Sequence, residues 1–419
     1  MDKRRVVVTG MGSVSPYGVG VEKLWNNLKE GRSGIHYTDD ILDIDKHTIK
    51  IGGSVKDFKV EDYIDEKEAK RMDRFIQFAV IAADEAIKDA KLEDLNDIDP
   101  YRVGVIVSSA AGGFPAFEEN HKRVLERGIN KCSPFTVPMV IVNMPSGHIS
   151  LRHGFKGITK AVVSACATGT HSIGDAFRSI QWGDADIIIA GGTEAVISDV
   201  GISGFAAART LSKRNDEPEK ASRPFDKDRD GFVMSEGAGV VVLEEYEHAK
   251  NRGAKIYAEV IGYGQTSDAY DIVAPDPTGT GVKKVMELAL KDAELKPAEI
   301  DYVNVHGTST GLGDIAESNA VAAVFGDKEQ NPRLLVSSTK SMHGHILGAT
   351  GAIEFITCVK AINDGIVPPT INLENQDEHV ANLDYVPNKS RKADLNNVLS
   401  NSFGFGGHNA SLVIKKLVG

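Results

Sequence analysis

Cysteine is scarce: Cys132, Cys166 and Cys358 are the only three in 419 residues. They are too few and too scattered for a disulfide framework, and no Cys-x-x-Cys pair suggests a thiolate metal site. Long apolar runs are missing too. No stretch reaches the roughly 18 apolar residues that span a bilayer. The opening MDKRRVVVTGMG has too short an apolar run for a signal peptide. We therefore expect a cytoplasmic protein with no membrane segment. Positive charge is in deficit, with 48 Lys+Arg against 59 Asp+Glu and a net charge of −11. A general nucleic-acid binder would carry a basic face, so that class is not expected.

What the chain does have is glycine, 42 residues of it, within an ordinary globular composition that is 41% apolar. Its length exceeds one typical domain. RRVVVTGMGSVSP reads as a buried strand broken by glycines, and Gly10, Gly12 and Gly18 fail the GxGxxG spacing of a dinucleotide loop. Residues 66–90 carry helical periodicity, with Phe75, Ala79, Ala82 and Ala86 on one face. RVGVIVSSAAGG, KAVVSA, ADIIIAGGTEA and GAGVVVLEEYEHAK supply Val/Ile strands between helices, the pattern of an α/β protein with a buried sheet. The second half repeats the plan. RLLVSSTKSMHGHILGATGAIE parallels AVVSACATGTHSIGDAF, and NSFGFGGHNASLVIKKL parallels DGFVMSEGAGVVVLEEY. A degenerate duplication follows, with halves 1–254 and 255–419.

Four stretches could carry chemistry. Cys166 opens a helix among small residues, where backbone N–H groups and the helix dipole favour a thiolate; a buried inert cysteine is the plainer alternative. His306 follows the strand VNV, at a strand end where ligands gather in α/β sheets. His345 is flanked by Lys340 and Glu354, and NSFGFGGHN sets Phe403 and Phe405 among glycines. Each of these also has a bland reading: a turn cap, a solvated charge, a tight hairpin.

Taken in order, CATGT, HGTSTxxGD, STKSMxGHxLGAxGA and NSFGFGGxN closely resemble the β-ketoacyl-acyl-carrier-protein synthases, nearest the type II branch of bacterial fatty-acid synthesis. RPFDKDRDGFVMSEGAGV, SPFTVPMVIVNMPSG and VVVTGMGSVSP extend the likeness over the whole chain. The resemblance implies a thiolase-like fold: two βαβαβαββ halves in five αβαβα layers, as a homodimer. It implies a decarboxylating Claisen condensation with acyl and malonyl groups delivered by acyl carrier protein, without a metal or organic cofactor. It makes Cys166 the nucleophile, His306 and His345 the enolate-stabilising pair, and Lys340 a further catalytic group, with Glu354 behind it. The backbone N–H groups of Cys166 and Phe403 become the oxyanion donors, with Phe403 also the gate to the acyl pocket. Lys67, Lys70, Arg71, Lys131 and Arg209 match positions that receive the carrier, although the periodicity of EKEAKR alone reads as a solvated face. The chain departs from the pattern at Gly311 (often proline), His343 (threonine), Ser235 (glycine), Asp271 (histidine) and Ala111. Ala111 stands where a bulky aliphatic residue often closes the acyl pocket, so a longer chain is expected to fit. Rival readings are a ketosynthase of a polyketide or aryl-polyene system, a non-catalytic chain-length factor, which would lack the cysteine, and a thiolase, which would need a second catalytic cysteine.

Overall fold

The computed structural model describes residues 3–93 and 98–417. Most of the apolar runs form the expected strands; KAVVSA does not, with only isolated bridges at Thr159 beside it and Ser164 within it. The first half holds β1 (Val6–Ser15), β2 (Val103–Ser108), β3 (Ile187–Glu194) and β4 (Gly237–Glu245). The second holds β5 (Ala258–Ser267), β6 (Tyr302–Asn304), β7 (Leu335–Ser337), β8 (Asn397–Gly404) and β9 (His408–Lys415). Their order is β7-β6-β8-β9-β5-β1-β4-β3-β2. Beyond β2, Thr159 makes one parallel bridge to Val105, the place that β7 takes beside β6.

Each half therefore uses the same order: third, second, fourth, fifth, first. In each, only the fifth strand runs against its neighbours. β4 is antiparallel to β3 and β1, and β9 is antiparallel to β8 and β5. The remaining pairs of these strands within each half are parallel, and β1 and β5 meet antiparallel. The half-sheets join at one corner, where Val6–Val8 pair with Ala258–Val260.

The strands are apolar on both faces because each sheet separates two cores. Ile188, Val241, Val398 and Leu412 face a central core. Their neighbours Ile187 and Val240 face an outer core with α1 (Arg74–Asp89). Leu399 and Val413 face another, with Val285 and Met286 of α3 (Thr280–Asp292) and Val321 of α4 (Gly311–Phe325). The central core is filled by α2 (Thr168–Gln181) and α5 (Thr350–Asp364). In α5, 12 of 15 residues are buried, which a helix tolerates only when it is covered on all sides. The result is the five-layer αβαβα thiolase-like architecture.

The two central helices cross at their first turns. A Cβ on Gly169 would lie 2.9 Å from Ala352 N and Gly348 O, and one on Gly351 would lie 2.0 Å from Thr170 Oγ1. Only glycine permits that approach, which sets the residues before α2 beside those before α5. A second expectation also fails locally. The periodic run 66–90 is two helices, Glu66–Ala69 and α1, because the Asp73 carboxylate caps the Phe75 N–H and starts a new helix. Among the described residues no helix is long and apolar enough to cross a membrane.

Candidate active site

Cys166 lies two residues before α2, after Ala165 at φ +50°. A left-handed non-glycine residue costs about 1–2 kcal/mol; here it turns the chain sharply into the helix. The sulfur lines a cavity of about 350 Å³ together with His306, His345, Phe403 and Phe405. The two imidazoles stand 5.4 Å apart, centroid to centroid, at 87°. The Phe403 ring lies 5.5 Å from His306, and Phe232 meets His345 edge-on at 5.2 Å. His345 Nδ1 bonds the Thr350 hydroxyl at 3.0 Å.

Charge is held just behind. Lys340 is 1% exposed, and its Nζ donates to Glu354 Oε1 at 2.6 Å. Burial, then Lys340, then a further imidazole (His345 for His306, His343 for His345) hold both rings well below the usual histidine range, so both are neutral. Burial pushes Glu354 up to about 7 against the pull of Lys340.

Two expectations need correction. The thiol is not depressed. Burial pushes it up to about 12, and the opposing field of Lys340 and the facing N–H groups does not overcome the desolvation. The second correction concerns the oxyanion pair. The N–H groups facing the sulfur are those of Cys166 and Phe405, not Phe403. Phe403 is held in β8, opposite Asn409, whereas Phe405 begins the turn that contains Gly406 and Gly407, at φ +83° and +73°.

Sequence reasoning missed two buried carboxylates. Glu317 accepts the N–H groups of His306 at 2.8 Å and Gly307 at 2.7 Å, fixing the loop after β6. Glu194 accepts from Ala110, Ala111 and Gly348, tying the Ala111 loop to the His345 loop. The signal was a charged residue at the end of an otherwise apolar strand, ADIIIAGGTE. Ala111 itself joins the apolar cluster that includes Cys166, Phe205 and Leu347, outside the cavity lining just described.

His343 is fully buried with both ring nitrogens bonded, to Gly344 O and Thr339 Oγ1, and does not line the cavity. The choice of His345 over His343 rests on that difference. Gly311 opens α4 at the cavity mouth, and Asp271 is an exposed loop cap for Val273 and Ala274. Of the basic residues, all five are exposed but only Arg209 lines the cavity. Lys70 is paired with Glu66, and Arg71 lies 5.2 Å over the Phe135 ring, four residues beyond Lys131.

A duplicated α/β core with one cysteine and two neutral imidazoles in a single cavity defines a thiolase-like condensing enzyme. The chain belongs to the β-ketoacyl synthase family, whose N-terminal domain matches residues 3–249 and whose C-terminal domain matches 257–374. It is 50% identical over 416 residues to 3-oxoacyl-[acyl-carrier-protein] synthase 2 of Synechocystis, covering 99% of each chain. It is 49% identical to the Vibrio harveyi protein of the same name, covering 100% of each. Among solved structures it is similar to a β-ketoacyl synthase of Burkholderia phymatum, at TM-score 0.91 and 36% identity, covering 99% and 100% of the two chains. It is also similar to a type II polyketide ketosynthase solved with its acyl-carrier protein and a hexaketide, at 0.91 and 34% over the same shares.

Proposed function

We propose that this enzyme elongates fatty acyl chains: an acyl group passes from its carrier protein to Cys166, freeing that carrier, and is then joined to malonyl-acyl-carrier protein to give 3-oxoacyl-carrier protein and CO₂. The observation that carries the reading is the cavity shared by Cys166, His306 and His345. In the first half-reaction the thiol loses its proton and the sulfur attacks the carrier-bound thioester. The carrier thiol leaves with the proton. In the second, malonyl thioester enters and its C–CO₂ bond breaks. The electron pair moves onto the thioester as an enolate, whose oxygen accepts hydrogen bonds from His306 and His345. Neutral imidazoles can donate there without a counter-ion. The enolate carbon then attacks the acyl-cysteine. The oxyanion that forms meets the N–H groups of Cys166 and Phe405, and its collapse expels the sulfur as a thiolate, which takes a proton from solvent to restore the thiol. A donor of this kind typically supplies about 10²–10³ in rate. Lys340 and Glu354 form a buried hydrogen-bonded pair behind both imidazoles and the sulfur. Phe405, on its glycine turn, is the ring suited to swing aside for the chain.

The relatives at 49–50% identity carry the name 3-oxoacyl-[acyl-carrier-protein] synthase 2, and the polyketide ketosynthase stands at 34%, so fatty-acid elongation is the better supported of the two readings. Acyl carrier protein as donor is supported by that last complex, and docking at Arg209 by its place at the cavity mouth. We assign Lys67, Lys70, Arg71 and Lys131 to the same docking face. A homodimer is supported by the exposed apolar side chains Phe117, Ile129, Val137, Ile141, Leu151 and Val163. We assign the enzyme to the cytoplasm. A division into halves at residues 254/255 is supported by the repeated strand order and by the family domains ending at 249 and starting at 257. The test is product analysis: purified enzyme with acyl- and malonyl-carrier protein should give 3-oxoacyl-carrier protein, and Cys166→Ala should give none. Product from that variant would refute the assignment.

A further inference from the structure

His343 departs from the family pattern one residue before Gly344, and its surroundings give it a task. Its Nδ1 lies 2.7 Å from Gly344 O. A carbonyl only accepts, so Nδ1 carries the proton and Nε2 must accept, from the Thr339 hydroxyl at 3.0 Å. Asn304 Nδ2 in turn lies 3.5 Å from Thr339 Oγ1 and 3.0 Å from Tyr302 Oη, which meets Ser337 Oγ at 2.8 Å. The imidazole ends a directed hydrogen-bond chain that terminates on the Gly344 carbonyl.

That carbonyl belongs to the peptide whose nitrogen is His345's. The His345 N–H donates to Val233 O at 2.7 Å, and its C=O accepts from Ser235 N–H at 2.9 Å. Gly344 itself sits at φ +68°, ψ −164°, a conformation that only glycine adopts readily and that surroundings must hold. Ser235, another departure, closes the far side: a Cβ on Gly344 would fall 2.2 Å from its Oγ. A threonine at 343 would turn its hydroxyl to the carbonyl three or four residues back in its own helix and leave Gly344 O unheld.

We propose that His343 is a positioning residue for His345: by holding the Gly344 carbonyl it fixes the backbone from which His345 reaches the cavity. This rests on the assignment of His345 to the malonyl half-reaction. The test separates the half-reactions in His343→Asn, whose amide can replace the Nδ1 donor, and His343→Gln and His343→Thr, which cannot. Acylation of Cys166, followed by intact mass, reports an intact nucleophile side. CO₂ release from malonyl-carrier protein reports His345. For Gln and Thr we expect CO₂ release to fall roughly 10–100-fold, the scale of a small misplacement, with acylation nearly unchanged, while Asn stays close to wild type. Thr339→Val, which removes only the partner of Nε2, should lower the same step by less than Gln. Equal losses in Asn and Gln, or parallel loss of both half-reactions, overturn the proposal. His345→Ala is the control: undiminished CO₂ release there overturns the assignment of His345 itself.

Discussion

Replacing Lys340 by methionine tests the charge arrangement behind the cavity. Lys340 and Glu354 form a buried pair at 2.6 Å, and Glu354 already titrates near 7 rather than at its ordinary 4.5. Without the ammonium, burial is unopposed and the carboxyl rises further. The linkage has a definite sign. A carboxyl raised in the folded state lends its stability in full below its unfolded value and loses it as pH climbs to the folded value. Wild type stops losing near pH 7; the variant continues. The gap between them should therefore widen above pH 7 by about 1.4 kcal/mol per pH unit, or about 2 kcal/mol at pH 8.5 relative to pH 7. His306 and His345 are held low and titrate only below this window, so they do not blur it. Urea unfolding of both proteins at pH 6, 7, 8 and 8.5 is the assay, and Lys340→Met/Glu354→Gln should remove most of the pH dependence of the difference, leaving the smaller part from Glu317, which also titrates near 7 and is also held down by Lys340. A gap that stays constant from pH 6 to 8.5 would refute the reasoning.

Gly404 sits against Cys166: a Cβ there would lie 2.6 Å from Ser164 O and 3.0 Å from Cys166 N. Gly404→Ala should slow acylation by roughly tenfold or more through displacement of the Phe405 turn, and should lower the unfolding temperature as well because the clash is with backbone; stopped-flow acyl transfer and thermal unfolding measure the two. A thiol pushed up to about 12 ionises progressively across the neutral range. Iodoacetamide labelling of Cys166 should therefore rise about tenfold per pH unit from 7 to 9, whereas a plateau near pH 8 would mean a depressed thiol. Ala111→Ile adds bulk to the apolar cluster that contains Cys166. It should move the acyl-chain preference shorter in a kcat/KM series across chain lengths.

Much of this was legible in the chain itself. Periodicity alone gave the alternation of strands and helices, and the parallel between the Cys166 and His345 stretches anticipated two central helices whose first turns meet at Gly169 and Gly351. What escaped depends on three-dimensional closeness. The break at Asp73 could not be seen because a capping carboxylate looks like any polar residue within a helical run. The thiol's direction was misjudged because a helix N-terminus is readable in sequence and complete desolvation is not. Phe403 and Phe405 are equivalent in a string of glycines; only the end of β8 between them decides which N–H turns to the sulfur. Glu194 and Glu317 act on loops 10 to 154 residues away, a separation no local pattern encodes.

The central claim is that an acyl group waits on Cys166 while His306 and His345 release the carbanion that removes it. Intact-mass spectrometry of the acylated enzyme after addition of malonyl-carrier protein tests it most directly. The account predicts that the adduct disappears with one CO₂ released per acyl group in wild type, and persists in His306→Ala and His345→Ala. Disappearance at the wild-type rate in those two variants, or an adduct mapped to any residue other than Cys166, would contradict it.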